Sequence, residues 1–285
     1  MYKRQVLYQF KDVFSVNPKA PPAIKGVECA LYFREQNPTP FYRPPPRLSP
    51  EEAKYMDSET DMRLRNGIIT FSDSEWATVP VFAKKKPNAD GTSQGLRYAI
   101  DFRGLNAQLC ADRMAMPHME DVLDSLSEAT IFSTFDISSG FWGVKVREED
   151  TKYLSFHALW KGSWILAKFL RMPFGLLMAT ADFSRCYQRI LGPTKSDSRG
   201  LLGWITKVWV DDNVVYSKQQ HEHLDHVCLV LQRLQANGMC IKPSKCIWYT
   251  EQLPFLGQLV VAGQGVKPCF GKIKAMMETA PPTLS

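Results

Sequence analysis

The run Thr130-Ile131-Phe132-Ser133-Thr134-Phe135-Asp136 constrains this chain most. It reads as a strand apolar on both faces, a pattern that fits the interior of a covered sheet. A carboxylate at its end is out of place in such a core and in place at the rim of one. Further along, 204–210 and 214–217 are β-branched and aromatic runs separated by Asp211-Asp212-Asn213, residues that favour a tight turn. A hairpin with two acids at its tip is predicted. If the two features are neighbouring strands, Asp136, Asp211 and Asp212 meet; the sequence alone leaves that adjacency open.

The surroundings are helical and strand-like in alternation. Ser49-Pro50-Glu51-Glu52 supplies an N-cap, a proline at the first helical position and a Glu three residues on. Ala53, Met56, Thr60 and Leu64 then give one helix face before Gly67. Residues 78–84 and 96–102 predict a hairpin around Asn88-Ala89-Asp90-Gly91. Lys84-Lys85-Lys86, Arg97 and Arg103 lie on it, a focused positive patch suited to phosphates, with a solvated face as the plainer reading. After Pro117 a short helix runs through Val122, Leu123 and Leu126. Strands at 153–159 and 163–169 flank Lys161-Gly162, and Ala179, Phe183, Cys186, Tyr187 and Ile190 recur at helical spacing. A last helix carries Leu224, Val227, Cys228, Leu231 and Leu234 and stops at Asn237-Gly238; 253–261 reads as one strand. The predicted class is α+β, a mixed or antiparallel sheet covered by helices.

Composition sets the bounds. A chain of 285 residues suggests about two compact units. With 45% hydrophobic, 12% aromatic and 22% charged residues it has enough apolar side chain for a sizeable core, which excludes a disordered chain. The longest apolar stretch, 163–181, carries Lys168, Arg171 and a Pro-Phe-Gly interruption, so no segment is expected to cross a membrane. No apolar run follows Met1-Tyr2-Lys3-Arg4-Gln5, so an intracellular, unsecreted protein is expected, cytoplasmic or nuclear. Seven cysteines without close pairing read as reduced, mostly buried thiols. A net charge of +6 and a pI near 8.9 favour polyanionic partners without identifying them. Residues 1–48 are proline-rich and read as an extended N-terminal arm.

Three carboxylates on one spot repel each other and need cations; two Mg²⁺ ions with oxygen ligands are the common solution. Such a pair suits phosphoryl transfer, one ion activating a hydroxyl and the other holding the leaving group. From spacing alone, Asp211 and Asp212 are equally readable as turn formers and Asp136 as the start of a helix.

Blocks beyond the acids decide between these readings. Phe132-Ser133-Thr134-Phe135-Asp136-Ile137-Ser138-Ser139-Gly140-Phe141, Met172-Pro173-Phe174-Gly175-Leu176, Val210-Asp211-Asp212 and Phe255-Leu256-Gly257 resemble, in order and spacing, reverse transcriptases, RNA-directed DNA polymerases of the nucleotidyltransferase class. The similarity is greatest to the polymerase in the Pol polyprotein of gypsy-type LTR retrotransposons. It extends to Arg47-Leu48-Ser49-Pro50-Glu51-Glu52, Asn66-Gly67-Ile68-Ile69, 97–106 and Glu222-His223-Leu224-Asp225-His226, and spans roughly 28–268.

The resemblance implies a right-hand polymerase fold: fingers at 49–111 and 144–181, a palm at 112–143 and 182–262 with an antiparallel sheet backed by helices, and the start of a thumb or connection at 263–285. It implies that Asp136, Asp211, Asp212 and the backbone of Ile137 hold two Mg²⁺ ions, with Mn²⁺ as a substitute. Lys85 and Arg97 would clamp a deoxynucleoside triphosphate, with Lys84 or Lys86 as alternatives to Lys85. Phe141 would exclude a 2′-hydroxyl beside Phe174 and Gly175. Trp209, Val210, Phe255, Leu256 and Gly257 would contact the primer on an RNA or DNA template. Trp209 stands where Tyr or Phe is usual, Met178 and Thr180 where Asn and Pro are usual, and little thumb follows. A degenerate or co-opted fragment that binds nucleic acid without synthesis is therefore the competing expectation, and nucleotide cyclisation a weaker third. A zinc site at His221, His223, His226 and Cys228 is set aside, because Cys228 belongs to the apolar stripe of its helix.

Overall fold

The computed structural model describes residues 8–14, 17, 19–84, 95–112, 114, 118–195, 197–210 and 212–268. In chain order its first elements are a 3₁₀ turn (Lys11–Val13), strand β1 (Glu28–Cys29), helix α1 (Pro50–Arg65), strands β2 (Ile69–Phe71), β3 (Pro80–Lys84) and β4 (Leu96–Ile100), and the turn of helix α2 (Arg103–Asn106). Helix α3 (Met119–Asp124), strand β5 (Ile131–Asp136), the single turn α4 (Gly140–Gly143), and strands β6 (Lys145–Val146), β7 (Ser155–Trp160) and β8 (Ser163–Phe169) follow. The remainder is helix α5 (Ala179–Leu191), strands β9 (Thr206–Trp209) and β10 (Asp212–Ser217), helix α6 (His223–Ala236), and strands β11 (Ile247–Thr250), β12 (Gln252–Phe255), β13 (Gln258–Val261) and β14 (Gly265–Pro268). No described helix is long and apolar enough to cross a membrane.

The chain forms two compact units. One comprises residues 1–15, 115–138 and 184–285, the other 16–114 and 139–183.

The second unit is built on two small sheets, β2-β8-β7 and the β3–β4 hairpin, with a two-stranded β1–β6 pairing. Helix α1 packs on β7 and starts where the sequence says it should. Ser49 accepts from the Glu52 amide while the Glu52 carboxylate accepts from the Ser49 amide, a complete capping box worth about 1 kcal/mol. Of the expected arm, the described residues 19–48 hold strand β1 between turns and bends and bury Ile24, Cys29 and Leu31, so this stretch is packed into the unit and is not a free arm, and Lys11–Val13 wind into a 3₁₀ turn. Strand β7 begins at Ser155, later than expected, because 148–154 wind into a 3₁₀ helix. The turn of the β3–β4 hairpin, with Lys85, Lys86 and Asn88-Ala89-Asp90-Gly91, lies outside the described residues.

The first unit centres on an antiparallel sheet of order β11-β5-β10-β9. Strand β5 is interior and covered on both faces, as its composition requires. Phe132, Val214 and Tyr216 pack against Val122, Leu123 and Leu126 of the α3 segment and Leu253, Phe255 and Val260. Each such side chain withdrawn from water contributes roughly 1.5–3 kcal/mol. The opposite face meets α6, whose Val227, Val230, Leu231 and Leu234 are buried. Two expectations fail here. Asp212 and Asn213 belong to β10 and not to the turn, because Asp212 pairs with Trp209 and Asp136, leaving only Val210 and Asp211 to connect the strands. Residues 253–261 are two strands, paired Phe255 to Gln258 around Leu256-Gly257, and β14 adds a third.

A buried imidazole ties α6 to the sheet. His223 is fully buried, with Nε2 2.8 Å from Ser133 Oγ on β5 and Nδ1 2.8 Å from Ser217 Oγ on β10. Ser217 Oγ also lies 2.7 Å from His226 Nδ1. These histidines serve serines, which is why the His-rich helix start is structural.

His223→Ala opens a cavity and removes one hydrogen bond from each of two buried serine hydroxyls, and should cost about 2–4 kcal/mol in urea unfolding. His226 and His157 are held below their ordinary pKa of 6.5, first by burial, so both stay neutral in the fold while the unfolded chain takes up protons. Their full stability is present above pH 6.5 and falls as the pH drops through and below it. Unfolding curves at pH 7.5 and 5.5 should differ less in a His157→Gln, His226→Gln double variant.

Candidate active site

The acids stand where the covering layers end. Asp136 closes β5, Asp212 opens β10, and the two are direct cross-strand partners. Strand alternation therefore puts both side chains on the face that carries Phe132, Val214 and Tyr216. Asp136 keeps a third of its side chain exposed and Asp212 is solvent-accessible. Both line a pocket of about 290 Å³ with Thr134, Lys245, Ile247, Pro254, Phe255 and Leu256. Withdrawal from water in this pocket, and then the Asp136 charge, raise the Asp212 carboxyl above the usual carboxylate range, while Lys245 pulls it back.

Lys245 is the residue that reading the sequence missed. It ends the 3₁₀ turn Pro243–Lys245, and its Nζ lies 2.8 Å from Asp136 Oδ2. The turn is anchored to the acid strand by its backbone: the Lys242 amide donates to the Asp136 carbonyl at 2.8 Å. The Ser138 amide donates to Cys240, so the bonds flanking the Ile137–Ile241 bridge use the carbonyls of Asp136 and Cys240 and not that of Ile137. No spacing rule points to Lys245, since its approach depends on β11 pairing with β5.

Both hairpin tips near the acids hold side chains in the left-handed region. Val210 has φ 54° and Leu256 has φ 51°, followed by Gly257 at 74°. A β-branched or bulky residue there costs about 1–3 kcal/mol and persists only where its surroundings enforce it. Leu256 fills the pocket wall, and Trp209 is partly buried against the cluster of Val122, Leu253 and Phe255. Asp211 lies outside the described residues. The structure thus brings Asp136, Asp212, Phe255 and Leu256 to one pocket, with Ile137 next in the chain.

In the other unit, β4 alternates buried Leu96, Tyr98 and Ile100 with exposed Arg97 and Ala99, and Arg97 pairs with Ala83, one residue before Lys84. At the end of β4, Asp101 accepts from Arg103 Nε at 2.8 Å and Arg43 Nη1 at 2.9 Å. The Arg103 hydrogen bond, more than any other influence, holds its carboxyl at about 2.

Phe141, 9% exposed, lies in the turn α4 among Phe174 at 4.9 Å and Phe183 at 5.3 Å between ring centroids. A Cβ at Gly140 would lie 2.3 Å from the Phe183 ring, so a larger residue there would displace that ring. Phe174 is half exposed, on a loop clamped by Asn106, which donates to the Gly175 carbonyl at 2.8 Å and accepts from the Leu177 amide at 2.9 Å. Gly175 has φ 91°, a conformation open to glycine. Met178 is buried and Thr180 exposed at the first turn of α5.

Known proteins match this arrangement. The family described as reverse transcriptase (RNA-dependent DNA polymerase) matches residues 83–260. The retrovirus-related Pol polyprotein from transposon 297 of Drosophila melanogaster is 31% identical over 245 residues, 86% of this chain and 22% of that protein. A transposon Tf2-3 polyprotein of Schizosaccharomyces pombe is 29% identical over 279 residues, 96% of this chain and 19% of that one. The chain therefore spans about a fifth of the length of these curated relatives. Among solved structures, a foamy viral protease-reverse transcriptase in complex with RNA/DNA hybrid shares the fold with a TM-score of 0.80 at 18% identity, over 98% of this chain and 35% of that one. With a family match across well over half its length, set on paired acids at the rim of a covered antiparallel sheet, this chain belongs to the reverse transcriptase family.

Proposed function

We propose that the chain is the nucleotide-adding core of an RNA-directed DNA polymerase, extending a primer 3′-hydroxyl with deoxynucleotides on an RNA or DNA template. The observation that carries this reading is the direct pairing of Asp136 with Asp212 at an open sheet end, in one pocket with the Phe255-Leu256 hairpin. The RNA/DNA hybrid held by the foamy viral enzyme supports a hybrid as the bound nucleic acid. We assign fingers to 49–111 and 144–181 and a palm to 112–143 and 182–262; the breaks between the two compact units after residues 114, 138 and 183 support this, and a further break follows residue 15. Residues 263–285 begin a thumb or connection.

The donor set fits hard divalent cations. Asp136, Asp211, Asp212 and the Ile137 carbonyl offer only oxygen, and the Asp212 carboxyl, raised first by burial and then by the Asp136 charge, would be stabilised in its ionised form by a cation. Mg²⁺ suits these ligands and Mn²⁺ can replace it. When bound, two such ions lower the pKa of the attacking hydroxyl and neutralise the departing pyrophosphate. The remaining work belongs to side chains. Arg97 and Lys85 hold the triphosphate and neutralise charge that develops on it. Phe141, wedged between two rings, leaves no volume for a 2′-hydroxyl. The hairpin tip of Leu256-Gly257 and the Trp209-Val210 tip steady the primer end, where a displacement of about 1 Å would cost on the order of 100-fold in rate.

Single-nucleotide extension of a labelled DNA primer on an RNA template, in Mg²⁺ and in Mn²⁺, tests the reading. Asp136→Asn and Asp212→Asn should each lower incorporation by roughly 1,000-fold while the hybrid still binds. Wild-type binding without incorporation would instead favour the non-synthesising remnant. Phe141→Ala should reduce the preference for deoxynucleotides over ribonucleotides by about 100-fold, read as the ratio of kcat/KM values.

A further inference from the structure

Arg63, on α1, is only 5% exposed, and its charge is poorly answered by acids. Its Nη2 lies 3.5 Å from Glu59 Oε2, but Lys19 Nζ sits 3.0 Å from Oε1 of the same carboxylate, so one acid serves two cations. Arg63 Nε is buried without a hydrogen-bond partner among the described residues. The rest of the guanidinium charge faces aromatic rings, with the Tyr98 centroid at 4.2 Å and the Trp142 centroid at 5.3 Å. A buried arginine this incompletely paired is costly, and a methionine would fill the same space without the penalty. Packing alone therefore does not account for it.

Its two rings sit beside the residues assigned to the nucleotide. Tyr98 follows Arg97 on β4, where inward and outward side chains alternate, so the seat of Tyr98 sets the direction of Arg97. Trp142 follows Phe141 in α4, a turn of four residues too short to hold itself. Arg171 Nη1 supports that turn from its other end, 3.3 Å from the Trp142 carbonyl and 3.4 Å from that of Gly143. We infer that Arg63 is a positioning residue, gripping Tyr98 and Trp142 by cation–π contact so that triphosphate binding through Arg97 and sugar selection by Phe141 are set by one buried cation. The inference rests on the polymerase reading above.

Nucleotide binding without chemistry tests it. A primer ended by a dideoxynucleotide on an RNA template, with Mg²⁺ and the next complementary nucleotide, gives the Kd for deoxy and ribo forms. Arg63→Met should weaken the deoxynucleotide about tenfold and lower the deoxy-to-ribo preference about tenfold, leaving hybrid affinity without nucleotide unchanged. Arg63→Lys, which keeps charge but not the planar fork, should lose about threefold in each, and it carries the test if the methionine variant does not fold. Arg65→Ala, which removes an exposed ion pair to Asp61 on the same helix, should match wild type. A variant of Arg63 with lowered Tm but the wild-type deoxy-to-ribo preference overturns the inference and leaves the polymerase reading standing. A wild-type chain that forms no nucleotide-dependent complex overturns that reading, and the inference with it.

Discussion

The register of β5 against β10 is the constraint on which the rest depends. Side chains alternate with a period of two, so a slip of one residue would carry Asp136 to the opposite face while Asp212 stayed in place. Two independent sets of contacts fix the pairing. On one face Phe132, Val214 and Tyr216 enter the cluster with Leu126 and Leu253; on the other Ser133 and Ser217 meet the two nitrogens of His223. Neither set survives a slip. The acids thus inherit their geometry from groups that never touch them, and the rim can be polar because the middle of both strands is held so firmly.

Much of this was legible because period and turn chemistry are local. The capped helix α1, the doubly apolar β5 and the stripe of α6 are all set by neighbours in the chain. What failed was tertiary. Asp211-Asp212-Asn213 looks like a turn, but ladder pairing to Asp136 and Trp209 draws Asp212 and Asn213 into the strand and pushes the bend onto Val210, which has no intrinsic wish to be there. Leu256 hides a hairpin for the same reason, since a leucine in the left-handed region gives no turn signal. Lys245 reaches Asp136 only after β11 joins the sheet, and Arg63 reads as one more polar residue on a helix until Tyr98 and Trp142 close over it.

Charge is distributed differently in the two units. Around Asp136 and Asp212 the unbalanced charge is negative and one ammonium, Lys245, answers part of it. Around Arg63 it is positive and rings answer it. The first arrangement suits transient cations, because carboxylates exposed at a rim can exchange partners with water. The second suits permanence, because a guanidinium enclosed by aromatic faces has no solvent to exchange with.

The departures from the family pattern can be weighed by where their extra atoms go. Trp209 exceeds the usual Tyr or Phe in volume, yet it is partly buried against Val122, Leu253 and Phe255, so the larger ring is absorbed as apolar packing beside the hairpin. Met178 is buried at the start of α5, where an unbranched side chain adapts to the space available, and Thr180 is turned outward. None of the three lines the pocket of Asp136 and Asp212. Substitutions absorbed in this way change how firmly neighbouring segments are held and leave the lining of the Asp136 and Asp212 pocket unchanged.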